Sequence, residues 1–255
     1  MADAATAPPA IKETGLGATQ RTDNWWAGPL FTALGLAAFG IYATFRVFHD
    51  RHYEWESLLS PFYSPLLVVP SWLPSWVSPA MLILWAPGGF RLTCYYYRKA
   101  YYRAFFADPV ACAVGEARKG YCGETKFPFI FQNIHRYFLY VALVFNVILW
   151  IDAVKAFFWA DGFHVSVGSL VLTANAFLLM GYSFSCHSLR HLIGGNVDCF
   201  AKAALGQCRY TAWKGASWMN EHHMLWAWSS LFVVGFADMY VWMVASGRWT
   251  DLRIF

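Results

Sequence analysis

Two cysteines and two histidines, Cys94, His135, Cys186 and His223, stand in four different apolar stretches of this chain. Each falls near the same end of its stretch. Thiolates and imidazoles are costly to place at the edge of a bilayer unless they bind something, and together they form a soft, mixed ligand set. Two thiolates on one iron and two imidazoles on the other is the donor set of a Rieske-type [2Fe-2S] centre. His187 and His191, four positions apart on one helical face, are the runner-up ligands.

These four residues meet only if the stretches around them are helices crossing one membrane. The composition asks for that: 58% of the 255 residues are hydrophobic, 13% are charged and the mean hydropathy is +0.37. Soluble domains run at roughly 45–50% apolar and 25% charged. We expect an all-α integral membrane protein with five transmembrane helices in an up-down bundle, over residues 28–255, after an N-terminal tail over 1–27. At about 20 residues per crossing there is no room for a separate catalytic domain. The expected helices run from Gly28 to Phe48, from Pro79 past a kink at Pro87 to Arg103, from Phe129 to Phe158, from His164 to Leu192 and from Trp218 to Ser246. Between the first two, the Pro/Trp-rich stretch Pro61 to Pro79 is expected at the membrane interface, where indoles favour the headgroups.

Arg98, Lys99, Arg103, Arg118, Lys119 and Lys126 precede the third helix, and Lys202, Arg209 and Lys214 precede the fifth. The other connections are poor in basic residues. The positive-inside tendency puts the N-terminus and both basic loops in the cytoplasm and the C-terminus outside. The cysteines then face a reducing compartment, which argues against a disulfide framework. Cys112, Cys122, Cys199 and Cys208, in expected loops without metal spacing, read as structural thiols.

Rotation about the helix axis selects the inward faces. At 100° per residue, positions eleven apart lie about 20° from each other, as His135 does from Asn146 and Cys186 from Asn175. His223 is about 60° from Asp238, whereas His222 is roughly opposite it. Polar groups inside a span face the bundle interior, so Asn146, Asn175 and Asp238 mark that side.

The runs RLTCYYYRKAYYR from Arg91 to Arg103, FPFIFQNIHRY from Phe127 to Tyr137 and SCHSLRHLIGG from Ser185 to Gly195 resemble the five-helix, cytochrome b-like membrane anchor of actinobacterial-type succinate dehydrogenases. The resemblance covers essentially the whole bundle. It implies a bacterial plasma membrane complex of the respiratory chain and tricarboxylic acid cycle. There a flavoprotein subunit oxidises succinate, an iron-sulfur subunit relays the electrons, and this anchor passes them to a quinone, menaquinone. The chain would belong to the enzyme without itself oxidising succinate, since it has no Gly-rich dinucleotide turn. Tyr95, Arg98, Asn133 and Arg136, near the cytoplasmic ligand layer, are the candidate quinone contacts. The expected partners are these two subunits, the quinone and the lipid bilayer, with no nucleic acid. A further small membrane subunit and a higher oligomer stay open.

Two other centres stay open as well. A bis-histidine haem b needs only two imidazoles from His135, His187, His191 and His223. The lack of a histidine on the second helix argues against a second, outer haem. The pattern His187-x-x-x-His191 with His222-His223 also resembles the histidine boxes of membrane di-iron hydroxylases, although those sites call for more nitrogen ligands than the five histidines on this side. A bare anchor without metal is the third possibility.

Overall fold

The computed structural model describes residues 15–116, 125–127, 129–195 and 197–255. The first fourteen residues of the tail, and Arg118, Lys119 and Cys122, lie outside the described residues. The chain is mostly helical. Helix α1 spans Ala27–His49, and a hairpin follows of β1 (Glu54–Trp55) and β2 (Leu58–Leu59). Next come α2 (Pro79–Leu92), α3 (Tyr95–Phe106), a 3-10 turn over Phe129–Ile134 and α4 (His135–Lys155). A second hairpin, β3 (Phe158–Trp159) with β4 (Gly162–Phe163), leads to α5 (Val167–Phe184), α6 (His187–Gly194), α7 (Gly206–Glu221) and α8 (His223–Ala245).

Local chemistry explains the helix starts. Ser78 accepts from the Met81 amide ahead of Pro79, whose missing N–H costs nothing in a first turn. Ser166 and Ser169 cap each other's backbone at the start of α5. Asp50 closes α1 in a left-handed conformation, its amide donating to the Arg46 carbonyl.

Among the described residues, four helical segments are long and apolar enough to cross a membrane: Ala27–His49, Ile130–Lys155, Val167–Phe184 and His223–Ala245. This is a multi-pass membrane protein. The expected second crossing is not one continuous helix, because α2 has 14 residues and α3 has 12, each short of the ~20 that a span requires. Its break also falls elsewhere than expected. Helix α2 runs through Pro87 and ends at Thr93, whose hydroxyl donates to the Gly89 carbonyl and competes with the next helical turn. The expected fourth and fifth helices are divided too, at Ser185–Cys186 and at His222. Cys208 lies on α7 rather than in a loop, since Gly206 already begins that helix.

Helices α4, α5 and α8 pack side by side, with α2 on α4 and α1 along α3 and α8. Glycine permits two of the close approaches. A Cβ on Gly89 would lie 2.3 Å from the Phe138 ring, and one on Gly181 would lie 2.3 Å from Trp226. Leu34, Ile41, Phe45 and Phe48 of α1 face outward, as lipid-facing residues do. The Pro/Trp-rich stretch forms no helix, and Trp72 and Trp76 are exposed. The tail is pinned where it is described: Gly17 donates to the Gly115 carbonyl, Gly115 to Ala18, and Arg21 to the Cys112 carbonyl.

Candidate metal centre

All four sulfur and imidazole candidates sit at helix starts. Cys94 and Cys186 are the residues before the first turns of α3 and α6, with nearly the same backbone, φ −65°, ψ 131° and φ −66°, ψ 134°. Each follows a hydroxyl residue that ends the preceding helix, Thr93 and Ser185. His135 opens α4 and His223 opens α8. The helices thus break in three places, at Thr93–Cys94, Ser185–Cys186 and His222. Both cysteines and His135 are fully buried.

The hydroxyls fix the imidazoles. Thr93 gives its hydroxyl proton to the Gly89 carbonyl at 2.7 Å, so its oxygen is left to accept from His135 Nδ1 at 2.9 Å. Ser185 does the same with the Tyr182 carbonyl at 2.9 Å and His223 Nδ1 at 2.6 Å. With the hydroxyl protons on those carbonyls, the matching tautomer of both rings carries its proton on Nδ1 and presents a bare Nε2. Each bare nitrogen meets a thiol. Cys186 Sγ lies 3.2 Å from His135 Nε2, and Cys94 Sγ lies 3.4 Å from His223 Nε2. The pairing is crossed: the Thr93–Cys94 corner orients the histidine facing Cys186, and the Ser185–Cys186 corner orients the one facing Cys94.

Apolar side chains pack around this pocket. Phe90 stacks on His135 at 4.8 Å and Tyr182 on His223 at 5.2 Å, while Leu139, Ala227 and Leu231 complete the buried cluster. Sequence reasoning missed Thr93 and Ser185. Their signal was a hydroxyl residue immediately before each candidate cysteine.

His135, Cys186 and His187 also offer ligand atoms within 4.8 Å of one another. His187 is exposed, and its ring stacks on His135 at 5.5 Å and meets the edge of Tyr95 at 5.0 Å. His191 is farther out and accepts from Arg136 at 2.8 Å. His222 turns away to the Trp218 carbonyl, 3.0 Å from its Nδ1. Among the candidate quinone contacts, the Arg98 guanidinium lies over the Tyr95 ring at 5.1 Å, and Tyr95, Asn133 and Arg136 are exposed around the same rim.

Two thiols and two imidazoles are the donors that a two-iron cluster would call on, and each ring is held from behind by a hydroxyl. Such outer contacts are what orient a histidine ligand. A haem iron between the two imidazoles would leave both facing thiols without a role.

Asn146, Asn175 and Asp238 are buried, on the inward faces that rotation assigned. Asp238 accepts from Arg46 Nε at 2.7 Å and from Nη2 at 3.3 Å, and also from Tyr42 and Ser60. Asn146 and Ser183 border a cavity of about 180 Å³ that reaches Phe90 and Tyr182 at one end and Phe62 and Val234 at the other.

The family model of the actinobacterial succinate dehydrogenase subunit SdhC matches residues 27–247. A solved structure of the Mycobacterium smegmatis Sdh1 complex in the apo form contains a chain 45% identical to this one, with a TM-score of 0.84, over 93% of this chain and 94% of that chain. No curated protein matches. The chain belongs to the SdhC family, the membrane anchors of actinobacterial succinate dehydrogenase.

Proposed function

We propose that this subunit anchors the flavoprotein and iron-sulfur subunits of a succinate:quinone oxidoreductase and passes electrons to menaquinone through a Rieske-like [2Fe-2S] cluster. Cys94, His135, Cys186 and His223 would hold the cluster. The observation that carries this reading is the crossed arrangement in which Thr93 and Ser185 orient two bare Nε2 atoms onto two thiols. Bound there, the cluster supplies a one-electron carrier between the docked subunit and the quinone.

The chain's own residues do the rest. Phe90, Tyr182 and Leu231 exclude water, which preserves the electrostatic influence of neighbouring groups. Reduction of a quinone to a quinol takes two electrons and two protons. Tyr95, Arg98, Asn133 and Arg136 are the proposed quinone contacts on the exposed rim, beside His187. In the bilayer, α2 and α3 in succession form a broken fifth crossing, and the Pro/Trp-rich stretch rests at the interface. The basic residues Arg98, Lys99, Arg103 and Lys126 ahead of α4, with Lys202, Arg209 and Lys214 ahead of α8, favour an N-terminus in the cytoplasm of a bacterial cell.

The test is electron paramagnetic resonance of the purified complex. Dithionite should produce a signal of low average g that Cys94→Ala and Cys186→Ala each remove, while succinate oxidation with an artificial acceptor persists. Sharp reduced-haem bands, or a signal unchanged in both variants, would overturn the assignment.

A further inference from the structure

Two arginines are built into the helical bundle, and their surroundings differ. Arg46 is fully buried and neutralised by both carboxylate oxygens of Asp238. Arg91 has only neutral oxygens: Tyr97 OH at 2.7 Å and the Ala227 carbonyl at 3.2 Å on Nη1, and Ser230 Oγ at 3.0 Å on Nη2. No described carboxylate forms an ion pair with it. Its guanidinium lies 4.6 Å from the centre of the Tyr182 ring, and that ring stacks on His223 at 5.2 Å. Three residues further along the chain is Cys94. A guanidinium stays charged whatever its setting, and an uncompensated charge inside a bundle is expensive. Arg91 is half-buried and borders the cavity beside Phe90 and Tyr182, and the thiol pair next door would gain net negative charge when a cluster held there is reduced.

We propose that Arg91 is the counter-charge of the metal centre and raises its reduction potential. This rests on the cluster reading above. A [2Fe-2S] core of charge 2+ with two thiolates and two neutral imidazoles carries no net charge, and it gains one negative charge on accepting an electron. The electron comes from a reduced iron-sulfur centre of the docked subunit and leaves to the quinone. No bond is made or broken at Arg91, and no proton moves there. A fixed positive charge one aromatic ring away favours the reduced form, and net charge is among the factors that set the potentials of such clusters. The contacts with Tyr97, Ala227 and Ser230 hold that charge in place by joining α2 to α3 and α8.

The experiment is a redox titration of the whole complex, following the anchor's own paramagnetic signal. Arg91→Gln should keep the signal and move its midpoint to lower potential, and Arg91→Lys should stay near the wild-type value. Ser230→Asp places a carboxylate against the guanidinium and should lower the midpoint relative to its steric control, Ser230→Asn. That pair decides the matter if Arg91→Gln does not assemble. An unchanged midpoint in Ser230→Asp, or a fall in Arg91→Lys as large as in Arg91→Gln, overturns the role of the charge while leaving the cluster intact. A wild-type complex with no anchor-borne signal overturns the cluster reading and this inference with it.

Discussion

His135 Nε2 and Cys186 Sγ meet at 3.2 Å although 51 positions separate them, and His223 Nε2 and Cys94 Sγ repeat the contact at 3.4 Å across 129 positions. Four helices must be correctly placed for both contacts to form. On the proposed cluster, His223→Ala should abolish iron bound by the anchor, because the side chain faces the Cys94 thiol. His222→Ala should leave iron content near wild type, because its ring is exposed and turned to the Trp218 carbonyl. Iron and acid-labile sulfide per complex measure the difference, and equal loss in both variants would show that facing the pocket does not select the ligand.

The hydroxyls of Thr93 and Ser185 give a second expectation. Thr93→Val keeps the shape of the side chain but removes the acceptor for His135 Nδ1–H, and Ser185→Ala does the same for His223. Outer-shell losses of this kind cost about 10- to 100-fold in metal affinity. Each variant should therefore lose its cluster to a chelator sooner than wild type does, with all subunits of the complex retained. Chelation half-times indistinguishable from wild type would remove the orienting role assigned to the hydroxyls.

The facing of this centre was legible in the sequence because 3.6-residue periodicity relates His135 to Asn146 and Cys186 to Asn175, and polar groups in a span point inward. The breaks at Thr93, Ser185 and His222 were not legible. A hydropathy pattern averages over a whole turn, so a single residue leaving helical geometry disappears in it; the hydroxyl-to-carbonyl bonds that end α2 and α5 are local, but the imidazoles those hydroxyls meet come from α4 and α8. The same averaging turned α2 and α3 into one expected helix with its bend at Pro87. Arg46 was hidden for another reason. A basic residue near a helix end reads as a side chain reaching for water, and only the fold brings Asp238 from α8 to meet it.

Close helix contact at two glycines supplies a third expectation. Gly181→Ala would place its methyl 2.3 Å from Trp226, and Gly89→Ala would place one 2.3 Å from Phe138. Overpacking of this order costs about 1 to 3 kcal/mol. Both substitutions raise helix propensity, so a protein governed by local preference would gain stability. We expect lower thermal midpoints for both in detergent, and unchanged or higher midpoints would mean that the aromatic rings can yield.

Far from the cysteine–histidine pocket, the Arg46–Asp238 pair closes the other end of the bundle, with both side chains fully buried. Tyr42 and Ser60 also donate to the carboxylate, Arg46 Nη1 reaches the Arg51 carbonyl at 3.1 Å, and Tyr63 holds the Arg46 carbonyl at 2.8 Å. The pair thus fastens α1 and α8 to the segments on either side of the first hairpin. Removing one partner strands a charge that nothing else neutralises, at a cost of about 3 to 5 kcal/mol, whereas replacing both with apolar groups restores much of the loss. Arg46→Leu and Asp238→Leu should each sharply lower the thermal midpoint, and the double variant should be more stable than either single one. If the two losses simply added, the pair would not be coupled, and the hydrogen bonds from Tyr42 and Ser60 would be what holds this end together.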